Sequence, residues 1–186
     1  MPSGLLDGVE RLVVISKGHC SPAFYVWLSE IGVLDEEVLG EFAKPGSPLP
    51  SHLEAGTIPG IITSTGSLGQ GLSIANGIAL AARIDGARRE VAVLLGDGEL
   101  DEGQVWEAAS TAGSLRLDNV VAVVDRNMHQ HSGPTESVKK KEPLGARWAS
   151  FGWEVFEADN SVASIVEALR LAGSRQGRPK VVIVKS

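Results

Sequence analysis

The chain is poor in the residues that several common chemistries require. Cys20 is the only cysteine among 186 residues, so an internal disulfide is impossible and a cysteine-type zinc site cannot be built. Basic residues are in the minority: 17 Lys and Arg stand against 23 Asp and Glu, for a formal net charge of −6. That balance argues against nucleic acid or an anionic membrane as a general partner. No apolar run reaches the length of a membrane-spanning helix. The N-terminus lacks the basic-then-apolar pattern of an export signal, which makes the cytoplasm the expected compartment. There is no internal repeat and no low-complexity tract.

What remains is a chain of single-domain size, long enough to bury an ordinary core. Residues 1–10 read as a loose lead-in. Leu12-Val13-Val14-Ile15 is a short β-branched run and a predicted strand. Residues 22–31 and 35–43 read as helices. Lys44 to Pro50 carries three prolines and reads as an irregular loop. Residues 67–84, rich in Ala, Gly, Ile and Leu, read as a long helix whose small residues suit close packing against the sheet or across a subunit interface. Strand 91–95, helix 103–115, strand 120–125, strand 153–157, helix 162–173 and strand 180–185 complete the pattern. Lys139-Lys140-Lys141 reads as part of a solvated connection. Strands alternating with helices predict an α/β fold with a mostly parallel sheet of about five strands and helices on both faces.

The most informative unit is Gly96-Asp97-Gly98, which closes the apolar run Val91 to Leu95, together with Asn127, which closes Val120 to Asp125 thirty residues later. A helix lies between them. This strand–helix–strand unit puts a carboxylate and an amide oxygen at the C-terminal ends of two neighbouring parallel strands, the edge where open α/β sheets bind ligands. Hard oxygen donors suit Mg²⁺, which takes one or two carboxylates and completes its shell with phosphate and water. The flanking glycines admit close backbone approach, and the following helix start offers free N–H groups to an anion. The pattern points to a metal-bound diphosphate.

Gly96-Asp97-Gly98-Glu99-Leu100-Asp101-Glu102-Gly103 through Asp125-Arg126-Asn127 resembles the diphosphate-binding motif of thiamine-diphosphate enzymes. Ser16-Lys17-Gly18-His19-Cys20-Ser21-Pro22-Ala23 and Ser64-Thr65-Gly66-Ser67-Leu68-Gly69-Gln70-Gly71-Leu72-Ser73 are similar to two further segments that narrow the likeness to the transketolases. Gln130 to Glu136 and Trp148 to Trp153 also resemble that family, and the match runs from about residue 11 to the end.

The resemblance implies thiamine diphosphate with Mg²⁺ as cofactors, held by Gly96, Asp97, Gly98, Glu99 and Asn127. It implies metal ligation by Asp97, Asn127 and the backbone carbonyl of His129. It implies that Gly66, Ser67 and Leu68 present backbone to the aminopyrimidine and that His19 lies near the diphosphate and the reacting centre. His52 would contact donor hydroxyls. Glu102 and Glu107 would join a carboxylate network between two active sites. His131 reads as structural. Cys20 reads as a small buried residue rather than a nucleophile.

The glutamate that assists proton movement at the aminopyrimidine belongs, in this family, to another domain on a neighbouring subunit, and nothing in this chain resembles it. Two histidine-bearing family segments also lack counterparts. The expectation is therefore a diphosphate-binding half, 1–186, shortened at both ends. It would pair with a pyrimidine-binding subunit, two copies of each, to move a two-carbon ketol unit from a small ketose to an aldehyde. The alternative is a non-catalytic assembly module that keeps the fold.

Overall fold

The computed structural model describes residues 10–186; the lead-in expected for the first nine lies outside the described residues, and Glu10 already opens a strand. Among the described residues, seven strands and six helices follow the alternation expected from the sequence. They are β1 (Glu10–Ile15), α1 (Ser21–Glu30), α2 (Gly71–Ile84), β2 (Arg89–Gly96), α3 (Gly103–Ser114), β3 (Val120–Arg126), β4 (His129–Gln130), β5 (Gly133–Pro134), α4 (Thr135–Val138), α5 (Leu144–Ser150), β6 (Glu154–Asp159), α6 (Val162–Ser174) and β7 (Lys180–Lys185).

Five of the strands form one parallel sheet in the order β1-β2-β3-β7-β6. The two-residue β4 and β5 make a small antiparallel hairpin just past the end of β3. The side-chain period of two sorts β3 cleanly. Val120, Ala122 and Val124 point into the main core with α2, α3 and α5, while Val121 and Val123 pack toward α6. β7 does the same, sending Val181 and Ile183 one way and Val182 and Val184 the other. Apolar side chains on both faces are what a covered parallel strand requires. A satellite cluster of Ile15, Tyr25, Leu28, Leu49, Leu53, Ile58 and Ile61 anchors α1 and the proline-rich loop.

Three expectations change. The helix expected from residue 67 begins at Gly71, because Gly69 takes φ 84° and its N–H is drawn away to Glu99. The segment 35–43 forms a 3-10 turn over Glu36–Glu41 rather than an α-helix. Lys141 is not solvated: it is 1% exposed and pairs with Asp101 at 3.0 Å. Its ammonium also donates to the Gln130 side chain, so burial is matched by partners. Among the described residues no helix is long and apolar enough to cross a membrane.

Candidate functional site

The parallel register sets Gly96 opposite Asp125, so β2 and β3 end side by side at the C-terminal edge of the sheet. A cleft of about 740 Å³ opens there. Its wall gathers His19, Leu68, Gly96, Asp97, Gly98, Glu99, Glu102, Asn127 and the β4 residue His129. Most of the residues singled out in the sequence thus converge from four separate segments. His52, Gly66 and Ser67 stand on the adjoining loop rather than on this wall. That loop is tied down by Thr65, whose N–H donates to the Leu53 carbonyl at 2.8 Å and whose hydroxyl accepts from the Leu53 N–H at 3.1 Å. Gly66 takes φ 129°, a region open mainly to glycine, and its bare Cα faces the His52 ring.

Asp97 is fully buried. One carboxylate oxygen, Oδ2, accepts from Arg126 Nη1 at 2.7 Å and from the Met128 N–H at 2.9 Å. The other, Oδ1, is buried with no hydrogen-bond partner. An unpaired buried carboxylate oxygen is costly unless a cation completes it. Asn127 lies two residues past Asp125. Its amide N–H donates to Asp125 at 3.0 Å, and its Oδ1 accepts from the His129 N–H at 2.9 Å. Met128, between them, takes a left-handed φ of 64°, a strained state for a residue with a side chain. The His129 carbonyl lies beside Gly98, whose missing Cβ would otherwise crowd Gln130 at 2.7 Å.

Among the described residues no group of three His, Cys, Asp or Glu side chains gathers as a metal cluster. The donor set, with its one orphaned carboxylate oxygen, fits Mg²⁺ carrying a diphosphate.

Glu99 lies differently from a residue that reaches for a ligand. Its carboxylate accepts from the Ser16 hydroxyl, from the Gly69 N–H at 2.8 Å and from the Gly96 N–H at 3.1 Å. From the cleft wall it ties the segment after β1 and the loop before α2 to the end of β2. Glu102 and Glu107 are exposed on α3, and Glu102 sits at that helix's N-terminus, where the dipole favours a carboxylate.

His19 is the middle residue of a 3-10 turn, Gly18–Cys20, just after β1. Partial desolvation, aided by the positive charge of Lys17, lowers its pKa, so the ring is neutral near pH 7. Burial pushes the Cys20 thiol up, away from the thiolate a nucleophile needs. Lys17 is 7% exposed and meets Asp125 at 2.5 Å. Burial opposes charge on Asp125, yet Lys17, Asn127 and Ser186 together hold its carboxyl below the ordinary range. Lys17 and Asn127 also line a second, largely apolar cleft of about 590 Å³ beside α1.

Sequence reasoning assigned no role to Lys17, Asp125, Arg126, Glu136 or Glu142. The available signal was an Asp-Arg pair closing the buried run Val120–Val124, since charges at that point of a parallel strand must find partners.

Comparison with known proteins gives a consistent result. A family model described as "Transketolase, thiamine diphosphate binding domain" matches residues 8–186. The chain is 42% identical over 175 residues to a 6-deoxy-6-sulfo-D-fructose transketolase subunit of a Clostridium species, covering 94% of this chain and 64% of that protein. It is 38% identical over 186 residues to one of the apulose-4-phosphate transketolase subunits of Actinobacillus succinogenes, covering all of this chain and 67% of that one. Among solved structures, a transketolase of Pichia stipitis in complex with sedoheptulose 7-phosphate superposes with a TM-score of 0.89 at 35% identity, over 95% of this chain and 28% of that chain. A transketolase of Leishmania mexicana gives 0.87 at 31% identity, over 96% and 28%. The chain therefore spans about two thirds or less of the length of these relatives.

Proposed function

This chain belongs to the transketolase family through its thiamine-diphosphate-binding domain, and from that premise we propose that it is the diphosphate-binding subunit of a two-component ketol transferase. The observation that carries the proposal is the orphaned, buried Oδ1 of Asp97, a residue that lines a cleft shared with Asn127 and the His129 segment. In this reading the whole chain acts as one diphosphate-binding domain.

Asp97, Asn127 and the His129 carbonyl would hold Mg²⁺, and the glycine-lined turn Gly96 to Gly98 would let the diphosphate approach the backbone. Gly66, Ser67 and Leu68 would meet the aminopyrimidine with backbone groups. When bound, thiamine diphosphate supplies the carbon nucleophile that cleaves a ketose carbon–carbon bond. His19, held neutral, can accept and return a proton at a substrate hydroxyl. His52, beside Gly66 and electrostatically coupled to His19, would orient the donor hydroxyls. Glu102 and Glu107, exposed on α3, are free to meet a neighbouring subunit.

The partner is proposed to be a pyrimidine-binding subunit that supplies the activating glutamate, with two copies of each chain and two active sites between them. The donor class is a ketose with an anionic end, as in the names of the two subunit relatives, and the acceptor is an aldehyde. The compartment proposed is the cytoplasm. The test is to assay ketol transfer by this chain with thiamine diphosphate and Mg²⁺, alone and with a candidate pyrimidine-binding subunit. The expected result is activity only in the mixture. Full activity of the isolated chain would refute the two-component reading. Failure with every such partner would favour the assembly module instead.

A further inference from the structure

Asn127 lines the cleft with an amide, and an amide has two unlike ends. Its oxygen can hold a cation, whereas its nitrogen only donates hydrogen bonds. A half-turn of the side chain would exchange the two. A neighbour two residues back decides which end goes where. Asp125 Oδ2 accepts from Asn127 Nδ2 at 3.0 Å, and an ionised carboxylate has no hydrogen to give to the amide oxygen. Oδ1 is thereby turned to the other side, where it accepts from the His129 N–H at 2.9 Å and keeps a second lone pair.

We propose that Asp125 is a positioning residue that fixes the Asn127 amide with its oxygen, not its nitrogen, available to the cation. The inference rests on the reading of Asn127 as a metal ligand. The His129 N–H favours the same orientation, but it closes a two-residue turn that Asn127 itself forms and moves with that turn. Asp125 is anchored outside it. It belongs to β3, and its carboxylate is held from two other segments, by Lys17 Nζ on Oδ2 at 2.5 Å and by the Ser186 hydroxyl on Oδ1 at 3.0 Å.

The strand order explains why a lysine does the holding. Lys17 follows β1, and β2 lies between β1 and β3. Two strand spacings amount to about 10 Å, a gap that takes a long side chain to cross. The aliphatic stem of Lys17 runs over Gly96, 3.9 Å from the point where a Cβ would stand there. With Lys17, Asn127 and Ser186 all donating to it, Asp125 has a partner on each oxygen and does not compete with Asn127 for the ion.

The experiment titrates the full chain with Mn²⁺, a paramagnetic probe read by water-proton relaxation, with thiamine diphosphate present. Asp125→Asn replaces the acceptor-only carboxylate by an amide that can pair with either end of Asn127. It is made in two backgrounds, the native chain and Asn127→Asp, in which both ends of the side chain at position 127 are oxygens and orientation no longer matters. In the native background Mn²⁺ affinity should fall about 10-fold or more, the usual cost of losing a group that orients a metal ligand. In the Asn127→Asp background the fall should be clearly smaller. The loss of one negative charge, or of packing, is common to both backgrounds and drops out of the comparison. Equal losses, within the roughly 2-fold scatter of independent substitutions, overturn the inference, as does a larger loss in the second background. If Asp125→Asn strands the Lys17 ammonium and does not fold, as judged by far-ultraviolet dichroism, Lys17→Met is added in both backgrounds and the same contrast decides. Asn127→Ala is measured alongside. Wild-type affinity there would sink the ligand reading itself, whereas a loss there, with equal losses from Asp125→Asn in the two backgrounds, would sink only the role of Asp125.

Discussion

Removing the Asp97 carboxylate should move stability and ligand response by separable amounts. Asp97→Ala takes away a buried partner of Arg126, and breaking a buried pair costs about 3–5 kcal/mol. The low end applies, because Arg126 retains Glu136, Glu142 and Thr135. Against this, the substitution also removes the unpartnered Oδ1, whose burial costs about 1–3 kcal/mol. The net loss without ligand is then about 0–2 kcal/mol, which for a domain of this size lowers the melting temperature by no more than about 8 °C. The ligand term is larger. Wild type at 100 times its Kd for the Mg²⁺–thiamine diphosphate pair gains about 2.7 kcal/mol, or roughly 5–11 °C. A variant bound about 100-fold more weakly keeps only about 0.4 kcal/mol of that gain at the same concentration. Thermal melts of wild type and variant, with and without Mg²⁺ and thiamine diphosphate and with the partner subunit present, measure both terms. An equal ligand-induced rise in the two proteins would refute the assignment of Asp97.

His52→Ala should raise KM for the ketose donor or lower kcat while cofactor affinity, measured by titration, stays close to wild type; His19→Ala should lower kcat and loosen the cofactor. The His19 ring should titrate below its ordinary value of 6.5 in a proton–nitrogen NMR titration. Because the unfolded chain then takes up that proton first, stability should drop as pH falls from 6.5 through the lowered native value, and a ring titrating above 6.5 would contradict the site electrostatics. Gly113→Ala offers a contest of two effects. Helix propensity favours alanine by up to about 1 kcal/mol, but its Cβ would drive into the Phe151 carbonyl, and overpacking of that kind costs about 1–3 kcal/mol. Chemical denaturation should show a net loss, and a more stable variant would mean that the turn after α5 yields freely.

Much of this site was legible because its signals are local. Asp97 and Asn127 announce themselves by ending apolar runs, and the helix between them forces the two strands to lie parallel. The strand alternation made the five-stranded sheet readable as well. The lateral order was not, since nothing in the sequence of β7 says that it inserts between β3 and β6. Charge was misread where burial depends on a distant partner. Lys141 looked like one of three solvated lysines, yet Asp101, forty positions earlier, draws it inside. Such pairings follow from the way the chain closes on itself, which residue types alone do not encode.

The side-by-side ending of β2 and β3 has a consequence for how the molecule breathes. The Asp97 N–H donates to the Asp125 carbonyl at 3.1 Å, so the ladder of the central strands runs on into the turn that carries Asp97. That amide cannot exchange its hydrogen with solvent until β2 parts from β3, an event that also exposes Val93, Leu95 and Val124 at the centre of the core. Its protection against exchange should therefore match that of the core strands rather than that of a surface loop. A cofactor arriving here meets a half-site that is already rigid. In the proposed two-subunit enzyme, the ordering cost of assembly would then fall on the exposed loop around His52 and on the partner's surface.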